Sequence, residues 1–180
     1  MTTQINFFYY PIFLGKIDIK KIKLNKKTMK PTWLSKISSN FYSEDNKIIN
    51  KDTGQYLMFT IGETMKDYFK GCKIQIDLLN IWVNFYKQKD FQDPHTHPKS
   101  DFSFIIYSKI KESNTIFFNP SKALIDATYD EKKFPGMETI YKPKCKQGDL
   151  IIFPSFMTHM VLPLSNSETI AGNLKINYVK

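Results

Sequence analysis

Three histidines are the whole imidazole complement of this 180-residue chain. Two form the triplet His95-Thr96-His97, and the third is His159. Side chains of an extended segment alternate with period two, so His95 and His97 would point to one face. Two imidazoles so placed form a chelate, and imidazole is the commonest transition-metal ligand. His159 follows Gly148-Asp149, an apolar run 150–153 and Pro154-Ser155. That order reads as turn, buried strand, turn and the start of another strand, so a third ligand could come from an opposing wall of a barrel. A lone histidine is usually packed or solvated. Here every histidine falls in one of two segments, and a shared metal site at His95, His97 and His159 is the sharper reading.

The elements that position these residues are mostly strands. Residues 73–86 alternate, but Ile74, Ile76 and Leu78 lie on one parity and Leu79, Ile81, Val83 and Phe85 on the other. The second run leaves Asn80, Trp82, Asn84 and Tyr86 together on the opposite face. That face is too polar for a dry core and too aromatic for plain solvent; it fits a pocket wall or a half-exposed strand. Further short strands are expected over 101–110, 115–119, 138–142, 149–153, 158–162 and 168–178, separated by turn residues.

The N-terminal part, 1–72, is expected to support a β core at 73–180 within a single domain. Residues 6–14 read as an edge strand because of Pro11. The parity change in 16–24 reads as a bulge or bend. Pro31 is expected to open a short helix carrying Trp33, Leu34 and Ile37. Asp52 and Gln55 have the form of a capping box ahead of the main helix, 54–70, with Gly71 at its C-cap. One or two N-terminal helices packed outside a closed or sandwiched β-structure is the architecture this order implies.

Composition narrows the classes. The formal charge is +9, and all 26 basic residues are lysine. The lysines are dispersed except for Lys20, Lys21, Lys23, Lys26 and Lys27, and the chain lacks the guanidinium fork that reads phosphate and base edges. Nucleic acid is therefore disfavoured as a partner. No run spans a membrane, and 7–14 has no preceding basic segment, so it does not read as a signal peptide. Two cysteines, Cys72 and Cys145, make no disulfide scaffold, which points to a reducing cytoplasm.

The segments Trp82-Val83-Asn84-Phe85-Tyr86, Asp90-Phe91, His95-Thr96-His97 and 102–107, followed by Gly148-Asp149, Phe153-Pro154-Ser155, His159, Val161, Pro163 and Ala171-Gly172-Asn173, resemble the 2-oxoglutarate/Fe(II)-dependent oxygenases of marine phages and bacteria. The resemblance covers about 80–178. It implies a mainly β fold, the double-stranded β-helix (jelly roll or cupin barrel), and an enzyme, a hydroxylase of unknown substrate in the cytoplasm of a bacterium or a phage-infected host. Carried over, it places the metal ligands at His95 and His159. His97 stands where most of the superfamily has an acid, making a neutral three-histidine site for Fe(II) that would also take other divalent metals. Asp101 matches a cupin's fourth ligand, although a plain strand-entry residue is the favoured reading of it.

The family's usual arginine anchor for 2-oxoglutarate would fall at 167–169, counting from His159, and the chain has no arginine. The resemblance offers Lys109 in its place, with Lys175 as runner-up. Tyr107 and Asn173 are candidate hydrogen-bond partners of the cosubstrate, and Trp82, Asn84 and Tyr86 its pocket wall. A cupin-like metal protein that does not use 2-oxoglutarate and a non-catalytic binding barrel remain alternatives. The substrate is a small molecule or peptide. Specificity is expected in loops 87–94 and 121–135, and a homodimer through the N-terminal elements stays open.

Overall fold

A computed structural model describes residues 10–26, 29–32, 37–41, 48–128, 138–163 and 166–179. In order, the elements are β1 (Phe13–Lys16), β2 (Lys30–Thr32), β3 (Ile37–Ser39), α1 (Lys51–Met65), β4 (Ile74–Tyr86), β5 (Gln92–His95), β6 (Phe102–Lys109), β7 (Thr115–Phe118), α2 (Lys122–Thr128), β8 (Ile140–Tyr141), β9 (Asp149–Pro154), β10 (His159–Val161) and β11 (Ser167–Tyr178). They form a seven-stranded sheet, β1-β9-β6-β11-β4-β3-β2, and a four-stranded sheet, β5-β10-β7-β8. Every pairing is antiparallel. The two sheets face each other as a double-stranded β-helix. Phe117 of the small sheet packs on Phe153 of the large one at 4.8 Å between ring centroids, and Tyr107 Oη donates across the gap to Thr115 Oγ1 at 2.9 Å.

The large sheet is buried on both faces. Leu150, Ile151, Ile152 and Phe153 of β9 are all fully buried, which is why that strand is a continuous apolar run rather than an alternating one. One of its faces takes α1, whose Thr53, Leu57, Ile61 and Met65 are buried at i, i+4 spacing. The other face lines the space between the sheets.

Helix α1 begins three residues before the expected start. Asn50, not Asp52, is its N-cap, and the Asn50 side chain accepts from the Thr53 N–H at 2.9 Å. Asp52 sits in the first turn, where its charge suits the helix dipole. Gly71 closes the turns after the helix at φ +83°, a conformation open to glycine.

Other N-terminal expectations need correction. Pro31 does not open a helix but lies in β2, at the edge of the large sheet where a missing N–H costs no ladder bond. Ile37 belongs to β3; Trp33 and Leu34 lie outside the described residues, as do 6–9. The parity change in 16–24 is a 3-10 turn at Ile19–Lys21, capped by Asp18, not a bulge. The N-terminal strands do more than support the barrel, since β1 pairs with β9 and β3 with β4. The segment 121–135, expected as a loop, carries helix α2 at Lys122–Thr128. Among the described residues no helix is long and apolar enough to cross a membrane.

Two bulges decide which side chains face inward. At Leu79 the β4–β11 register shifts, pairing Leu78 with Leu174 but Asn80 with Asn173. This is the parity switch seen in the sequence, and it turns Trp82, Asn84 and Tyr86 into the cavity. At Ser108 the β6–β11 register shifts, pairing Tyr107 with Thr169 but Lys109 with Glu168.

Candidate metal centre

The three histidines meet at one end of the small sheet. His159 of β10 is the direct cross-strand partner of His95 on β5, so the third ligand comes from a neighbouring strand rather than an opposing wall. His97 lies just past the end of β5, where its N–H donates to the Ser155 carbonyl at 2.9 Å. Ring centroids are 4.3 Å apart for His95–His159, 5.1 Å for His97–His159 and 5.3 Å for His95–His97. One ring nitrogen from each lies within 4.8 Å of the others.

Backbone carbonyls set the tautomers. His95 Nδ1 is 2.7 Å from the Asp93 carbonyl and His159 Nδ1 is 3.1 Å from the Met157 carbonyl. A carbonyl only accepts, so each Nδ1 carries the proton and each Nε2 presents a lone pair. His97 Nε2 stands 3.4 Å from His159 Nε2. Neighbouring nitrogens around an ion bound at about 2.1 Å are separated by roughly 3.0–3.4 Å, so this pair already has ligand spacing.

The surroundings keep the rings neutral. Burial lowers the His95 pKa, although the bond to Asp93 opposes it. Burial, then the neighbouring His95, brings His97 down to about 4. Burial, with His95 and His97 beside it, holds His159 well below its ordinary value. Neutral imidazole is the form that ligates. Trp82 lies 5.5 Å from the His97 ring, and Phe153 and Phe117 lie 4.7 Å and 5.7 Å from that of His159. The donor set, its tautomers and its spacing all fit a divalent transition metal.

The remaining candidates divide. Trp82, Asn84 and Tyr86 line the cavity beside the histidines. Asp101 does not join the cluster: its carboxylate accepts from Lys175 Nζ at 3.0 Å and from the Ile176 N–H at 2.7 Å. Lys175 is thereby held at the exposed end of β11, past the last β6 pairing at Leu174–Phe102. Lys109 is exposed on the outside, because the bulge at Ser108 breaks the parity it would share with Tyr107. The Tyr107 hydroxyl is fully buried, donating to Thr115 and accepting from Ser113 at 3.2 Å. Asn173 Oδ1 accepts from Ser103 Oγ at 2.7 Å, and Ser103 also meets Ser155 Oγ at 2.8 Å. That network steadies the turn whose carbonyls hold His97 and His159.

Sequence reading missed Gln92 and Thr115, which also line the cavity, as does Thr169 from the stretch 167–169 where the resemblance puts the anchor. Thr169 shares parity with Ala171 and Asn173, but only strand register shows that it stands beside Asn84. The free volume is about 20 Å³, room for about one water, so a larger ligand must turn side chains aside.

Residues 80–170 match the protein family described as "Putative 2OG-Fe(II) oxygenase". Among solved structures, HygX from Streptomyces hygroscopicus with nickel, 2-oxoglutarate and hygromycin B bound is similar, at 8% identity and TM-score 0.53 over 92% of this chain and 82% of that one. HygX with nickel and 2-oxoglutarate alone gives TM-score 0.51 at 8% identity, over 87% and 74%. An oxidoreductase of the 2OG-Fe(II) oxygenase family from Burkholderia pseudomallei is also matched, at TM-score 0.49 and 12% identity over 72% of this chain; the chain spans 61% of its length. The HygX likenesses show the fold. No curated protein sequence matches the chain.

Proposed function

The chain belongs to the 2OG-Fe(II) oxygenase family, and from that premise we propose that it is a 2-oxoglutarate-dependent oxygenase, a hydroxylase, with His95, His97 and His159 as its iron ligands. The observation that carries this is the convergence of three neutral imidazoles inside the matched region, two of them fixed through Nδ1 so that Nε2 faces the common point. Bound there, Fe(II) supplies activation of O₂ at the expense of 2-oxoglutarate, which leaves as succinate and CO₂.

The chain's own residues do the rest. The Asp93 and Met157 carbonyls orient two ligands, and the Ser155 carbonyl positions the third. Trp82, Phe117 and Phe153 keep the rings in apolar surroundings, which excludes water and keeps the imidazoles unprotonated. The substrate is a small molecule or peptide, and the reducing cytoplasm is the compartment in which the enzyme works.

Three neutral ligands and the lack of a basic side chain among the described cavity-lining residues favour a second reading, a metal-binding barrel that does not take 2-oxoglutarate. One experiment separates them. Purified protein is assayed for bound metal by equilibrium dialysis and for succinate release from 2-oxoglutarate with Fe(II) and O₂. The oxygenase reading expects one ion per chain and succinate, both lost in His159→Ala. Metal binding without succinate would establish the second reading, and unchanged metal binding in His159→Ala would overturn both.

A further inference from the structure

Strand β4 outruns its neighbour on one side. It pairs with β11 from Ile74 to Tyr86, broken only at the Leu79 bulge. On its other edge β3 meets it at Asn84 and Phe85, and Asn40 adds two bonds to the Val83 backbone. Among the described residues no strand pairs with that outer edge from Ile74 to Leu78. The Val179 N–H donates to the Lys73 carbonyl on the β11 side at 2.9 Å. Alternation then points the N–H and C=O groups of Ile74, Ile76 and Leu78 outward. An open edge of this kind is a template for another strand.

The two faces beside the edge differ. Ile74 and Ile76 turn toward α1 and, with Met58, Met65 and Phe69, line a groove of about 430 Å³. Tyr178, across from Ile74 on β11, is 74% exposed. An apolar groove continuous with an open edge suits a strand that carries its own apolar row. The opposite face is polar and holds Lys73, Gln75 and Asp77. Asp77 accepts from Gln75 Nε2 and from Asn177 Nδ2, each at 2.7 Å. Lys73 is exposed and joins no ion pair among the described residues.

Strand β4 itself meets both requirements. Two copies set antiparallel about a two-fold axis at Gln75 bring Ile74 of each against Ile76 of the other, where both backbone bonds are exchanged. Lys73 of each then lies opposite Asp77 of the other, in the kind of pair where side chains are closest. The axis makes this match twice. Centring it on Ile76 instead would set Lys73 against Leu79 and lose both matches. The bulge at Leu79 and the turn at Gly71, φ +83°, bound the regular edge and so limit the register.

We propose that the chain forms a two-fold homodimer by antiparallel pairing of its β4 edges, which continues the large sheet across two copies and sets each isoleucine row beside the other copy's groove. The inference goes beyond the oxygenase reading and does not depend on the metal.

The test is sedimentation velocity of the full chain over a range of concentrations. Wild type is expected to sediment as a dimer that dissociates on dilution. Lys73→Glu sets a like charge against Asp77, and Asp77→Lys sets one against Lys73. Each alone is expected to weaken the dimer by about tenfold or more, because two matches become two repulsions. Mixed in equal amounts, the two variants should recover the wild-type affinity within about threefold, since both pairs again join opposite charges. That recovery also shows that both are folded. Wild type that stays monomeric at the highest concentration loaded overturns the inference and leaves the edge to a different chain. A dimer indifferent to both substitutions, or one that they break and mixing does not restore, overturns it too.

Discussion

Substituting Gly172 by alanine tests the sheet that carries the cavity. Gly172 lies in the middle of β11, between β4 and β6. An added Cβ would come within 2.5 Å of Phe104 Cζ and 2.6 Å of the Asn80 carbonyl oxygen. Ordinary carbon contacts lie at about 3.5–4.0 Å, so something must move by about 1 Å. Neither neighbour moves easily, since the Phe104 ring is fully buried and the other atom is backbone. Overpacking of this kind costs about 1–3 kcal/mol, and the upper end applies here. Stiffening of the unfolded chain returns about 0.4–1 kcal/mol. The net loss is about 2 kcal/mol, or a midpoint lowered by about 4–8 °C for a chain of this size. Gly62→Ala is the matched control: nothing lies within 4 Å of its added Cβ, and it sits inside α1. There alanine should stabilise by about 0.5–1 kcal/mol. Urea and thermal unfolding followed by circular dichroism read both variants. A Gly172→Ala protein as stable as wild type, or two variants shifting in the same direction, would refute the packing argument.

Acid should destabilise the metal-free protein through its histidines. His97 titrates at about 4 in the fold against an ordinary 6.5, so the unfolded chain takes up its proton first. Stability is therefore full above about pH 6.5 and falls by about 3 kcal/mol as pH drops toward 4. Urea unfolding from pH 4 to 7 should show that slope in wild type and a shallower one in His97→Gln; equal slopes would count against it. Asn50→Ala removes the cap that accepts from Thr53 and should cost about 1 kcal/mol in the same assay. Tyr107→Phe leaves Thr115 and Ser113 without their shared partner and should lower stability by about 1–2 kcal/mol, read as a shift in the denaturant midpoint.

Much of the barrel is written locally. Strand parity places Asn80, Trp82, Asn84 and Tyr86 on one face, and the cavity takes the last three while Asn80, at the bulge, stays exposed. The His-Thr-His spacing puts two imidazoles on one side, because alternation is a property of extended backbone that needs no partner strand. Gly148 and Pro154 mark the limits of β9, the first by its freedom to take φ +88° and the second by its fixed φ.

Other placements depend on pairing. Lys109 shares sequence parity with Tyr107, yet the bulge at Ser108 turns it to solvent, and a bulge is set by the register of two strands rather than by either alone. Lys175, a candidate anchor from sequence, instead pairs with Asp101, which sits at the entry of β6 rather than in the metal cluster. Thr115 and Gln92 carry no local signal at all. They matter because β7 and β5 bring them to the level of the cavity that Thr169 reaches from β11. Alternation along a strand is local and can be read from residue order, whereas the meeting of separate strands is a product of packing. Residue order therefore determined that this chain holds a histidine pair on a pocket-facing β scaffold. Tertiary structure decided that His159 completes the set from the next strand and that the far end of the cavity is lined by hydroxyls and amides instead of a lysine.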